Sequence, residues 1–183
     1  MWFELNGVDD ILAKLNPTVY KKALNRTIND IGAKTKTQLV KGVRKTYNIR
    51  AAKLKQHMSI KRSKYHNMQY IIHIEGKRRN VMNFSAKKIQ SKRITKKGKR
   101  DKRGNISVKI RNDRGRAILR GAFYAENGAV LHRVGKTQKV EGLRTISIPQ
   151  MFNNKIVKES EQIAEKEFKK KLQDNFDFYI GKI

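Results

Sequence analysis

The chain has 183 residues, 38% of them apolar, a formal net charge of +29 and no cysteine. The length gives one domain with a compact core as the expectation, and the missing cysteines exclude disulfide staples, thiolate zinc sites and thiol nucleophiles. A charge this large opposes compaction unless a partner offsets it, which leaves nucleic acid, an anionic membrane or an acidic protein surface.

The opening residues, MWFELNGVDDILAKL, lack a cationic start followed by a long apolar run, so no secretory signal is expected. The sequons at Asn25, Asn83 and Asn105 therefore carry no weight. Residues 7–16 read as a short helix with Asp9 and Asp10 in its first turn, where the helix dipole favours anions. Asn16-Pro17 starts a second helix, a cap residue followed by proline at the first helical position. Tyr20, Leu24, Ile28, Ile31, Thr35, Leu39 and Val43 then recur at three- and four-residue steps, one stripe that ends near Tyr47-Asn48. Residues 50–58, RAAKLKQHM, suggest one more helical turn or two.

The period changes at residues 68–76, MQYIIHIEG, where β-branched residues alternate with polar ones before Gly76. Residues 105–111, 117–126 and 129–134 read the same way, and Asn127-Gly128 marks a tight turn between the last two. The stretch 85–104 fits neither period and reads as a long loop or hairpin arm. After Pro149, Ile156, Ile163, Ala164, Phe168, Leu172 and Phe176 return to helical spacing, with six acids interleaved with lysines between Glu159 and Asp177. The predicted fold is α+β: a long N-terminal helix and a C-terminal helix on one face of an antiparallel sheet of about four strands. The expected division of this single domain is helical over 1–57, sheet with the basic arm 85–104 over 58–147, and C-terminal helix over 148–183.

The basic run is the loudest chemical signal. Residues 77–116 carry 17 cations against two acids, and 87–103 alone carry ten cations. Three readings compete: a solvated loop, a phosphate-binding arm whose affinity falls steeply with salt, and a loop that orders on an acidic protein surface. The run has no aromatic residue to stack on bases, so any nucleic-acid contact here reads charge and not sequence. Lys96, Lys97, Lys99, Arg100, Lys102 and Arg103 are the candidate contact residues.

Other constellations are weak. Gly135-Lys136-Thr137 resembles the end of a phosphate loop, but position 130, where the pattern needs glycine, is Val. His57, His66, His73 and His132 have no partners at metal-ligand spacing. No catalytic, metal or cofactor site is expected. No stretch approaches 18 apolar residues, so no membrane span is expected. The cationic 17–47 helix has an apolar stripe better explained as core than as a membrane face.

The succession of residues 26–60, then NFSAKK, ISVKI, RGAFYAENGAVLHRVGK and SIPQMFNNKIV, resembles the minor tail protein Z family of tailed bacteriophages, the tail completion proteins. Its most specific pieces are Gly121-Ala122-Phe123, Arg133-Val134-Gly135 and Ile148-Pro149-Gln150-Met151, which are packing and turn residues. The 85–104 stretch departs from the family pattern in being more basic. The resemblance implies a non-enzymatic virion component, made in the host cytoplasm, at the head-proximal end or neck of the tail. It implies a homo-oligomeric ring, hexameric by analogy. The implied partners are the tail terminator, tail tube and head-connector proteins, with DNA in the lumen and no membrane. The alternative is a stand-alone, non-specific nucleic-acid binder that uses the 87–103 arm.

Overall fold

The computed structural model describes residues 17–89, 105–135 and 138–181, so the helix expected at 7–16 lies outside the described residues. The chain divides into two compact units. The described part of the first comprises 17–39, 59–73 and 154–181, and that of the second comes from 40–58 and 74–153.

Helix α1 spans Pro17–Thr46, starting at the expected proline and ending with Arg44 and Lys45 in its last turn, where cations suit the dipole. In the first unit it meets a second long helix, Asn154–Ile180 (α4). Val19 and Ala23 of α1 form one buried cluster with Leu172 and Phe176 of α4, flanked by Tyr20, Leu24, Phe168 and Tyr179. The hydrophobic cluster of this unit is thus helix on helix. The stripe is also displaced by one residue here. The fully buried line is Val19, Ala23 and Thr27, with Tyr20, Leu24 and Ile28 only half-buried beside it. Small side chains let the α4 backbone approach, and the larger ones flank the contact. Asn175 Nδ2 donates to Thr27 Oγ1 at 2.9 Å, and that hydroxyl donates to Ala23 O at 2.9 Å, so this buried polar pair is satisfied. Two short strands, β1 (Met58–Lys61) and β2 (Ile71–Ile74), pair with each other.

The strands of the second unit do not join into one sheet. β3 (Arg78–Asn80) pairs with β10 (Arg144–Ser147). β4 (Lys87–Ile89), β5 (Asn105–Val108) and β6 (Ala117–Leu119) form a second sheet. β7 (Phe123–Tyr124), β8 (Val130–Arg133) and β9 (Val140–Gly142) form a third. All of these pairings are antiparallel. The single sheet of about four strands is thereby corrected, and a local cause is visible. The segment 117–126 breaks at Gly121, whose φ of +72° is a left-handed turn conformation, so its two halves enter different sheets. The Asn127-Gly128 turn forms as expected: Gly128 takes φ +76°, Ala125 N–H donates to Ala129 O at 2.8 Å, and Gly128 N–H donates to Ala125 O.

Short helices α2 (Ala51–Lys55) and α3 (Ile148–Met151) complete this unit. Its core includes Val43, Leu54, Phe84, Ile106, Val108, Val130, Ile148 and Met151. Asn80 ties two sheets together. Its Nδ2 donates to Val130 O at 2.9 Å, and its Oδ1 accepts from Val130 N–H at 3.1 Å and Met82 N–H at 3.0 Å.

Candidate functional site

Charge separates by unit. The first holds 16 Lys or Arg and 10 acids, net +6; the second holds 28 and five, net +23. The described residues of the second unit alone carry 19 cations and four acids, net +15. Its basic character therefore does not rest on the 87–103 run alone. Cations spaced over short strands, with few carboxylates between them, raise a positive potential that attracts anions.

The basic run is bounded by a strand pair. Lys87 lies opposite Ser107, Lys88 opposite Ile106, and Ile89 opposite Asn105. The chain thus leaves the sheet at Ile89 and re-enters beside it at Asn105. β5 is the central strand, with Ile106, Ser107 and Val108 all buried, so this entry point is anchored in the core. Arg116 clamps the same place. Its guanidinium donates to Ser107 Oγ, to Ser107 O at 2.9 Å and to Ser85 O. Ser85 holds φ +52°, a left-handed conformation uncommon outside glycine, at the turn that leads into β4. Lys87 and Lys88 are exposed on β4. Lys96, Lys97, Lys99, Arg100, Lys102 and Arg103 lie outside the described residues, as do Lys136 and Thr137.

Sequence reasoning missed Arg116. It sits nine residues from Ser107 and 31 from Ser85, and no periodicity signals a contact across such intervals. It also missed the Arg111–Asp113 pair, in which Nε and Nη2 donate to the two carboxylate oxygens at 2.8 and 2.7 Å. That fork holds the Asp113 carboxyl below the usual carboxylate range. Arg111 also stands 5.7 Å from the centre of the Tyr47 ring.

In the first unit, Asp30, Lys34, Glu167 and Lys171 line one groove together with Lys170 and Asp174. Four of its charges pair off, Lys34 with Glu167 at 2.6 Å and Lys171 with Asp30 at 3.9 Å, so these four do not converge on a ligand. His73 lies in β2 and His132 in β8, as their alternating segments suggested. Among the described residues no three His, Asp or Glu side chains gather as a metal-ligand set.

The profile of the prophage minor tail protein Z family matches residues 5–182. The chain belongs to that family. The match spans nearly the whole sequence and includes both compact units. No curated protein and no solved structure matches the chain. Membership in a minor tail family supports a structural role in a phage tail, implies contact with other tail components and implies a place in the virion. No described helix is long and apolar enough to cross a membrane. The segments that first carried the family resemblance are structural here: Ala122, Ile148 and Met151 are fully buried, and Gly121 and Gly135 take positive φ at turns.

Proposed function

We propose that this minor tail protein works as a repeated subunit in a ring at the head-proximal end of the tail, where the tube is completed and meets the head connector. Residues 1–183 act together as one tail-completion module. Its neighbours are further copies of itself, in a hexamer by family analogy, and the terminator, tube and connector proteins. The second unit supplies the cationic side of this subunit. The 87–103 run, through Lys96, Lys97, Lys99, Arg100, Lys102 and Arg103, contacts adjoining protein or the DNA in the lumen without reading sequence.

One observation carries the cationic assignment: a net +23 concentrated in one compact unit, with the basic run inserted between two paired strands, the second of them buried in the core. A structural subunit needs surfaces that fit neighbours and a charge that meets its complement; it does not need a catalytic pocket. The decisive experiment replaces the six cations by Gln and follows particle assembly. Particles that assemble but lose DNA retention place the run against DNA, and rings that fail to dock place it against protein. Unchanged assembly and retention would reject any contact role for the run. Locating the chain in an intact particle at subunit resolution tests its position: absence from the head-proximal tail would overturn the proposal.

A further inference from the structure

The first unit presents a second basic feature, unrelated to the 87–103 run. From residue 59 to residue 73 this unit holds three Lys or Arg and no Asp or Glu. Within that span a two-residue turn, Tyr65-His66, is closed by reciprocal backbone hydrogen bonds between Lys64 and Asn67, at 2.9 and 3.0 Å. Tyr65 is 61% exposed. Lys61, Arg62 and Lys64 are exposed beside it, and among the described residues no carboxylate pairs with any of the three.

The base of this turn is fixed to α1. Ser63 is buried between exposed neighbours. Its N–H donates to Asn29 Oδ1 at 3.0 Å, its carbonyl accepts from Asn29 Nδ2 at 3.2 Å, and its hydroxyl donates to Asn25 Oδ1 at 2.7 Å. Seven residues past Asn25, Gly32 seats the Tyr70 ring, and a Cβ at that glycine would overlap the ring. Asn25, Asn29 and Gly32 share one helical face by their spacing, so α1 grips the loop at two points on either side of the turn. The turn is preorganised, and little ordering entropy is lost when a ligand meets it.

We propose that the Tyr65 turn binds single-stranded nucleic acid, with the phenol ring stacked on an unpaired base and Lys61, Arg62 and Lys64 on the adjoining phosphates. An exposed ring flanked by unpaired cations is the recurring unit of sequence-independent strand binding. An acidic protein surface fits less well. A protein hot spot needs a sealing rim of further contacts around its aromatic anchor, and one ring on a two-residue turn matches the size of a base. The inference is independent of where the protein sits in the tail.

The test is fluorescence anisotropy of a labelled dT20 strand with the full-length chain, in a background where the six cations of the 87–103 run are already Gln. That background separates this turn from the run, whose own contribution is read in assembly. Tyr65→Ala should weaken dT20 binding about tenfold, Tyr65→Phe should retain it, and affinity for a 20-base-pair duplex should change less than about twofold. Replacing Lys61, Arg62 and Lys64 together by Gln should flatten the salt dependence by about two phosphate contacts. Unchanged dT20 binding by Tyr65→Ala would overturn the proposal. So would an equal loss on duplex, or binding of polyglutamate in place of dT20. Since Tyr65 is exposed, unchanged thermal melting of the variants is expected and confirms that binding, not folding, is read.

Discussion

At the scale of single residues, a few side chains hold backbone that regular pairing does not. Asn80 is the clearest, since its amide makes three hydrogen bonds that tie β3 to β8 and to the turn after it. Asn80→Ala removes the acceptor of the Val130 amide, while the Val130 carbonyl keeps the Leu143 N–H at 2.9 Å, and an unpaired buried polar group costs about 1–3 kcal/mol. We expect a loss of about 2 kcal/mol in urea unfolding; a change under about 0.5 kcal/mol would show that water replaces the amide. Arg111 and Asp113 give a pH signature instead. Because Arg111 hydrogen-bonds the ionised carboxylate, Asp113 titrates below its ordinary value. The stabilisation is present above that ordinary value, near about 3.9, and is lost as pH falls through the depressed one. The pair is solvent-exposed, so its effect on global stability is small. Carboxyl NMR should place the Asp113 midpoint below ordinary aspartate, and Arg111→Gln should bring it back; an unmoved midpoint would mean the fork does not persist in solution.

At the scale of elements, α1 carries most of what is legible in the sequence. A start signal at Asn16-Pro17 and a stripe of 3.6-residue period located it almost to the residue, because helices are built from local contacts. Burial was read less well, since the choice of Val19, Ala23 and Thr27 over Tyr20, Leu24 and Ile28 depends on how closely α4 approaches. Strand segments were recognisable by alternation, yet their partners were not. Alternation says which face is buried, and pairing such as Arg78 with Ser147 spans the length of the second unit. The candidate site divides in the same way: the cation run is a compositional fact, whereas the Arg116 clamp and the seat of the Tyr65 turn are long-range contacts. Gly32 illustrates the point. Mid-helix glycine costs about 1 kcal/mol relative to alanine, so Gly32→Ala would stabilise an isolated α1. In this protein the added methyl meets the Tyr70 ring, and overpacking costs about 1–3 kcal/mol. The steric term wins, and we expect net destabilisation of up to about 2 kcal/mol by urea unfolding. A raised midpoint would mean the ring is not seated there. Burial on this seat also pushes the Tyr70 phenol above its usual pKa, against the opposing influence of Arg62.

At the scale of the whole molecule, charge decides behaviour more than packing does. A net +29 distributed as +6 and +23 means that self-repulsion acts mainly within the second unit. Ions that screen or bind these cations stabilise the folded form. Thermal melting of the purified protein should rise by several degrees between about 50 and 300 mM salt, and further with a polyanion such as heparin at equal ionic strength. The six-Gln variant should show a smaller rise. A melting temperature indifferent to salt and polyanion would mean the charges are already compensated within the chain, and the need for an acidic partner would disappear. Stability in isolation and stability in the particle are thus different quantities for this protein.

The side-by-side exit of Ile89 and return of Asn105 has a practical corollary. An insert whose ends are neighbours places almost no geometric demand on its host, and loop length is only weakly penalised. We therefore expect this sheet to tolerate replacement of the fifteen residues between them. A two-residue Asn-Gly replacement should still give a folded, soluble protein.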